Sequence, residues 1–161
     1  EQSGEYFVIA EDLVQKLLPE SRVEKVFEGK DLVGLRYEPL FDVLVLQSEK
    51  SYQVYPADFV TTTDGTGIVH TAVMYGEDDY ELGKKIGLRT VHTVDEIGKF
   101  NENVSELKGK YVKSAETEKL IIEHLESRGL LFKTEPYTHS YPFCWRCDSV
   151  FPARVICWPQ L

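Results

Sequence analysis

A chain of 161 residues, 42% hydrophobic and 28% charged, has the length and composition of one folded domain that needs no disulfide or metal for stability. Its net charge of −9 excludes a protein that grips a long duplex, because phosphate binding requires clustered Lys and Arg, but contact with one nucleic-acid terminus stays open. No apolar run approaches the ~20 residues of a membrane span, and the first residues lack the basic and apolar regions of a signal peptide. We therefore interpret residues 1–161 as a single cytoplasmic domain without a membrane partner. Because the first residue is not Met, we expect a fragment of a larger protein.

The first third of the chain predicts one short helix among several strands. The helix covers residues 11–18, where acids precede an apolar face and Pro19 stops it. Runs rich in aromatic and β-branched residues predict strands. These runs are residues 6–9, 23–28, 32–37, 43–47, 52–55 and 59–62.

The segment from residue 64 to residue 80 combines a turn, a strand and the start of a helix. Asp64-Gly65 is a strong turn signal, an apolar strand follows over residues 67–70, and a helix over residues 77–86 stops at Gly87. The free N–H groups and the positive end of a helix start point into the gap when a strand end faces them. This segment therefore predicts a small polar site.

The last part of the chain carries the clearest helix, over residues 114–128, with Ser114 as its N-cap and Gly129 directly after it. A turn is predicted over residues 95–98. Further strands are predicted at residues 89–94, 130–132 and 137–141. Many short strands without regular βαβ alternation predict a mixed α+β fold with about three inserted helices and a largely antiparallel sheet or partly closed β-barrel.

Several motifs occur here in the order and spacing found in one known family. Gly65-Thr-Gly-Ile-Val-His-Thr-Ala72 followed by Gly76-Glu-Asp-Asp-Tyr80 resembles the editing-site block of isoleucyl-tRNA synthetase. Thr93-Val-Asp-Glu-Ile-Gly-Lys99 resembles the loop after that block. The valyl and leucyl enzymes share the fold, but the His-Thr-Ala sequence favours the isoleucyl enzyme.

The C-terminal part of the chain extends the same resemblance. Arg128-Gly-Leu-Leu-Phe132 and His139-Ser-Tyr-Pro-Phe-Cys-Trp-Arg-Cys147 are similar to the family's return toward the catalytic body, to which we assign residues 144–161. The agreement covers roughly residues 60–150, and earlier residues fit more loosely.

This resemblance implies an editing domain within an isoleucine–tRNA ligase, which hydrolyses the ester of valine mischarged onto the isoleucine tRNA. A synthetic site separates acyl groups that differ by one methylene by only about 1–3 kcal/mol, a limit for which these synthetases are themselves the standard example. A second site that admits only the smaller group is then required. The implied partners are the 3′ end of the mischarged tRNA and the rest of the synthetase. Editing needs no cofactor, and ATP belongs to the parent's synthetic site.

The motif assigns the α-ammonium group of the substrate to Asp79, because a fixed carboxylate forms a strong charge-assisted hydrogen bond with a cation. The alternative is an acid in the first turn of a helix, where the dipole favours it. That alternative is the favoured one for Glu77 and Asp78, although Asp78 also stands among the residues that the motif places at the substrate.

Five other residues of the same region are candidates for contact with substrate. The imidazole of His70 has the chemistry to bind a ribose hydroxyl or a water, and its alternative is a histidine satisfied by backbone at a strand edge. Gly67 supplies a turn conformation or a close approach. Thr71 lines the pocket or bonds within a strand. Tyr75 and Tyr80 stack on the terminal adenine or pack at the rim.

Two departures from the family pattern matter. The family has a Thr-rich strand that holds substrate and positions water, and we expect this chain to begin after it. This leaves open a non-catalytic module that binds the tRNA 3′ end or an aminoacyl-adenosine. The family often has an Ala-Pro-Gly-His run where this chain has Ala72-Val-Met-Tyr75, which changes the shape of the pocket.

The spacing of Cys144 and Cys147 is that of a zinc knuckle, but it supplies only half of a four-ligand site. Cys157, His139 and His124 are the further ligands that the chain offers. The resemblance implies that the second Cys pair lies in the parent protein, which leaves a structural, zinc-linked domain as another function. Free thiols are the favoured interpretation of the pair in this chain.

Overall fold

The computed structural model describes residues 5–63 and 65–134. These residues divide into two compact units. The first unit contains the residues up to Tyr37 together with Tyr52–Ala72, and the second contains Glu38–Ser51 and the residues from Val73 onward. A single domain over residues 1–161 stays a prediction.

The first unit contains the short helix that the sequence predicts. A 3-10 turn at Glu11–Leu13 continues into helix α1, Val14–Leu17. Leu13 is buried, and the amide of Leu18 closes the last turn by donating to the Val14 carbonyl. Residues 11–17 are thus helical, with two acids in the first turn, which confirms the helix predicted over residues 11–18.

Helix α2, Glu77–Ile86, has the bounds that the sequence predicts. Gly87 ends it in the left-handed conformation, with φ of 84°, and the amides of Gly87 and Leu88 both donate to the Gly83 carbonyl at 2.8 Å. The Lys50 ammonium donates to the Ile86 carbonyl at 2.6 Å, which adds a cation at the negative end of the helix.

Helix α3, Ala115–Ser127, is also confirmed, together with its predicted N-cap. The Ser114 hydroxyl accepts the Thr117 amide at 3.1 Å, and the fully buried Thr117 hydroxyl donates to the Tyr111 carbonyl at 2.8 Å. In the first turn, a hydrogen bond from Lys110, aided by its charge, lowers the pKa of the Glu116 carboxyl.

Helix α3 packs on the core of the second unit. The core consists of three buried residues, Val43, Val104 and Leu107. Partly buried apolar residues surround them, namely Phe41, Leu46, Phe100, Leu120 and Ile121. Leu120 and Ile121 thus place one face of α3 against the core.

Within the described residues, bridges between extended segments are isolated and antiparallel. They join Arg36 to Gln53, Val94 to Phe100, and Lys99 to Tyr111. The first bridge links two segments that the sequence predicts as strands, and the amide of Val54 donates across it to the Leu35 carbonyl at 2.9 Å. A largely antiparallel sheet or partly closed barrel stays a prediction, and the strand over residues 137–141 lies outside the described residues.

The strand predicted over residues 43–47 is wrong, because Leu44–Leu46 forms a 3-10 helix. The amides of Leu46 and Gln47 donate three residues back, to the Val43 and Leu44 carbonyls at 2.9 and 3.1 Å. This local pairing takes the donors that a strand would offer to a neighbour.

The turn predicted over residues 95–98 is confirmed. The Asp95 carboxylate accepts the amides of Ile97 and Lys99, at 3.0 and 2.8 Å, and Gly98 takes a φ of 79°. The helices in the described part of the chain include none with the length and hydrophobicity needed to cross a membrane.

Candidate functional site

The start of α2 presents free backbone donors beside three carboxylates. Gly76 is the N-cap, with an extended backbone (φ −147°, ψ 144°), and it has no side chain with which to cap the helix. The first helical bond runs from the Tyr80 amide to the Gly76 carbonyl at 2.9 Å. The amides before Tyr80 are therefore available, and the positive end of a ten-residue helix lies at Gly76.

The Asp79 carboxylate folds back over this N-cap. A Cβ atom built on Gly76 would lie 2.6 Å from Asp79 Oδ2, so the carboxylate occupies the space that a side chain at position 76 would take. Asp79 is half-buried, and its carboxylate has no hydrogen bond or ion pair with any residue that the structure describes. Among the described residues the Asp79 carboxylate thus has a fixed position and no cationic partner, and its contact with a substrate ammonium stays a prediction.

The two acids before Asp79 differ from it in exposure, whereas Tyr80 does not. Glu77 and Asp78 are exposed acids in the first turn, where the helix dipole accounts for their presence. Tyr80 is half-buried, and the Lys84 ammonium lies over its ring, 5.2 Å from the centroid. One face of this ring is therefore engaged by a cation of the same helix.

In the first unit, Gly67 makes a close approach to Ala10, the residue before the 3-10 turn that leads into α1. Its φ is 78°, and a Cβ atom there would lie 2.5 Å from the Ala10 Cβ. The Ala10 amide also donates to the Thr66 carbonyl at 2.8 Å. Any larger residue at position 67 would force this contact apart, so the structural role of Gly67 is confirmed; its contact with substrate stays a prediction.

His70 follows this contact in a segment without assigned helix or bridge. Its side chain is exposed and has no hydrogen bond to any described residue, so backbone does not satisfy the imidazole as the alternative interpretation expected. Thr71 beside it is half-buried. These two residues lie in the first unit, whereas Asp78, Asp79 and Tyr80 lie in the second.

Tyr75 has a role in the fold that the sequence did not identify. Its phenol oxygen accepts the amides of Thr93 and Val94, at 2.8 and 2.9 Å, and lies 2.9 Å from the Thr93 hydroxyl. Its ring meets the His92 ring edge to face. The sequence does mark Thr93, because it begins the motif Thr93–Lys99. No feature of the residues near Tyr75, however, predicts a hydrogen bond to that motif.

The predicted zinc half-site, Cys144 and Cys147, lies outside the described residues, as do two of its three offered partners. The third partner, His124, lies on α3, where Nδ1 is 3.3 Å from Glu106 Oε2 and the ring stacks on Phe41. Across residues 5–63 and 65–134, no three His, Cys, Asp or Glu side chains are grouped as metal ligands.

Comparison with known proteins identifies a class first, the enzymes that join amino acids to tRNA. Within that class the matches are isoleucine–tRNA ligases. The chain is 49% identical over 150 residues to the one from Clostridium novyi, 44% over 146 residues to that of Clostridium kluyveri, and 44% over 149 residues to that of Bacillus thuringiensis. No protein-family model matches the chain.

These matches cover 91–92% of this chain but 14% of each relative, so the chain spans about one seventh of the length of the curated relatives it matches. The chain is therefore homologous to a segment of isoleucine–tRNA ligases, as the resemblance of its motifs predicted.

Proposed function

We propose that the chain is the editing domain of an isoleucine–tRNA ligase and hydrolyses the ester that joins mischarged valine to the isoleucine tRNA. The observation that carries this proposal is the half-buried Asp79 carboxylate, which lies at the start of α2 without a cationic partner among the described residues. The 49% identity to an isoleucine–tRNA ligase supports the choice of tRNA and amino acid.

In the proposed reaction, a water attacks the carbonyl carbon of the ester and the bond from that carbon to the ribose oxygen breaks. The products are free valine and a tRNA with a free terminal hydroxyl. Asp79 binds the α-ammonium and so holds the carbonyl in one place. The energy of that binding offsets part of the entropic cost of bringing ester and water together. His70, exposed and without a protein partner in the described residues, orients the ribose hydroxyl or the water.

Selectivity in this proposal comes from size. The site admits valine and excludes isoleucine, so it supplies the discrimination that one methylene cannot give the synthetic site. Contact with tRNA is confined to its 3′ end, in keeping with a net charge of −9, and the rest of the parent ligase holds the body of the tRNA in the cytoplasm. Hydrolysis requires no cofactor, and ATP serves only the parent's synthetic reaction.

Release of labelled amino acid from charged isoleucine tRNA tests the proposal. We expect the ligase that carries this chain to release valine at least tenfold faster than isoleucine, a ratio that a difference of one methylene can supply. Binding of the charged tRNA end without release of valine would favour the non-catalytic module instead. Neither binding nor release would favour a structural domain linked to the parent by zinc.

A further inference from the structure

The run Ala72-Val-Met-Tyr75 directly precedes the N-cap of α2. Met74 is buried, with 6% of its surface exposed. Val73 packs against Gly83 of α2, where an added Cβ would lie 2.6 Å from Val73 Cγ1. Glycine inside a helix costs roughly 1 kcal/mol relative to alanine, so its presence here reflects the close approach of the valine.

Tyr75 completes this run with three hydrogen bonds to one short segment. The amides of Thr93 and Val94 occupy both acceptor positions of the phenol oxygen. The phenol hydrogen is then the donor to the Thr93 hydroxyl, at 2.9 Å. Thr93 itself is buried, so these bonds are shielded from competing water.

The consequence is that the chain is fixed one residue before the N-cap. Gly76 has an extended backbone and no capping side chain, so it does not itself hold the start of the helix. Val73 and Tyr75 hold it instead, through contacts with Gly83 and with residues 93–94. The Asp79 carboxylate rests against Gly76 and therefore takes its position from the same anchor.

We propose that Tyr75 is a positioning residue that fixes the start of α2 and thereby aims the Asp79 carboxylate at the substrate ammonium. This inference rests on the proposed function, because it assigns Tyr75 a part in the recognition of an aminoacyl ester. On this proposal the Tyr75 side chain serves to hold the acid and not to stack on the terminal adenine.

The test compares two substrates, valyl-tRNA and N-acetylvalyl-tRNA, of which only the first carries an ammonium group. The ratio of their hydrolysis rates by the ligase that carries this chain reports recognition of the ammonium and does not depend on the fraction of folded enzyme. We expect Asp79→Asn to abolish the preference for the free amine and Tyr75→Phe to reduce it about fivefold, the factor expected for one lost hydrogen bond.

Two further variants keep the test decisive. Thr93→Val removes only the hydroxyl that receives the phenol hydrogen and should shift the ratio in the same direction as Tyr75→Phe, even if the latter folds poorly. Thr117→Val removes a buried hydroxyl hydrogen bond from α3 in the same unit and should leave the ratio unchanged. On the Asp79→Asn background, Tyr75→Phe should have no further effect on the ratio, because Tyr75 acts through Asp79.

The outcomes separate the two proposals. If Asp79→Asn abolishes the preference but Tyr75→Phe and Thr93→Val keep it, the positioning role of Tyr75 is wrong and the proposed function stands. If the wild-type ligase releases no valine, or if Asp79→Asn leaves the ratio intact, both proposals fall together.

Discussion

At the start of α2, the Asp79 carboxylate fills the space beside Gly76 that a larger residue would need. The Asp79 carboxylate lies where a Cβ atom on Gly76 would stand, 2.6 Å from its Oδ2. The backbone of Gly76 is extended, so glycine is not needed there for its conformation. It is needed because the carboxylate of a short side chain has folded onto it.

Gly76→Ala therefore tests the placement of Asp79 without touching its charge. The new methyl group must displace the carboxylate, and we expect valine release to fall about tenfold or more, a loss typical of a misplaced group. The helix itself should survive, since alanine in place of an N-cap glycine costs roughly 1 kcal/mol. Deacylation kinetics and a thermal melt measure the two effects separately.

Gly29→Ala is the matched control for this substitution. A Cβ atom on Gly29 would meet no heavy atom within 4 Å, so the same chemical change occurs in open space. Equal valine release by the Gly76 and Gly29 variants would refute the placement of Asp79 described here.

The position of Asp79 was predictable because its signals are local. Three acids directly follow Gly76 and form the first turn of a helix that ends at Gly87. The role of Tyr75 was not predictable, because its partners, Thr93 and Val94, lie 18 and 19 residues further along the chain. Contacts of that kind depend on the tertiary fold.

The same distinction explains which elements the sequence predicted. The signals of the helices lie in or beside their own residues, such as the Ser114 cap of α3 and Gly87 at the end of α2, and all three helices appear where expected. Residues 43–47 have the composition of a strand, but a strand needs a partner, and Leu44–Leu46 satisfied its backbone locally instead. The sequence of one segment does not show whether the fold supplies a partner strand.

At the scale of an element, Ser114→Ala should lower the free energy of unfolding by about 1 kcal/mol. The Ser114 hydroxyl accepts the Thr117 amide and lies 2.8 Å from the buried Thr117 hydroxyl. Urea denaturation measures the loss. Ser127→Ala, at the other end of α3, removes an exposed hydroxyl that donates to the His124 carbonyl and should cost less. Equal stability of the Ser114 variant and the wild type would show that this cap does not contribute.

At the scale of the whole molecule, the chain matches one segment, 14% of the length, of ligases that are much longer. We propose that this segment removes valine while the rest of the enzyme charges isoleucine. The two activities should then be separable by mutation, because they would use different sites of one protein.

Asp79→Ala in the ligase that carries this chain tests that separation most directly. Glu77→Ala is the matched control, since it removes an exposed carboxylate from the same helical turn. We predict that the Asp79 variant still charges isoleucine but no longer releases valine from mischarged isoleucine tRNA, whereas the Glu77 variant does both. Valine release at the wild-type rate by the Asp79 variant would contradict the proposed function.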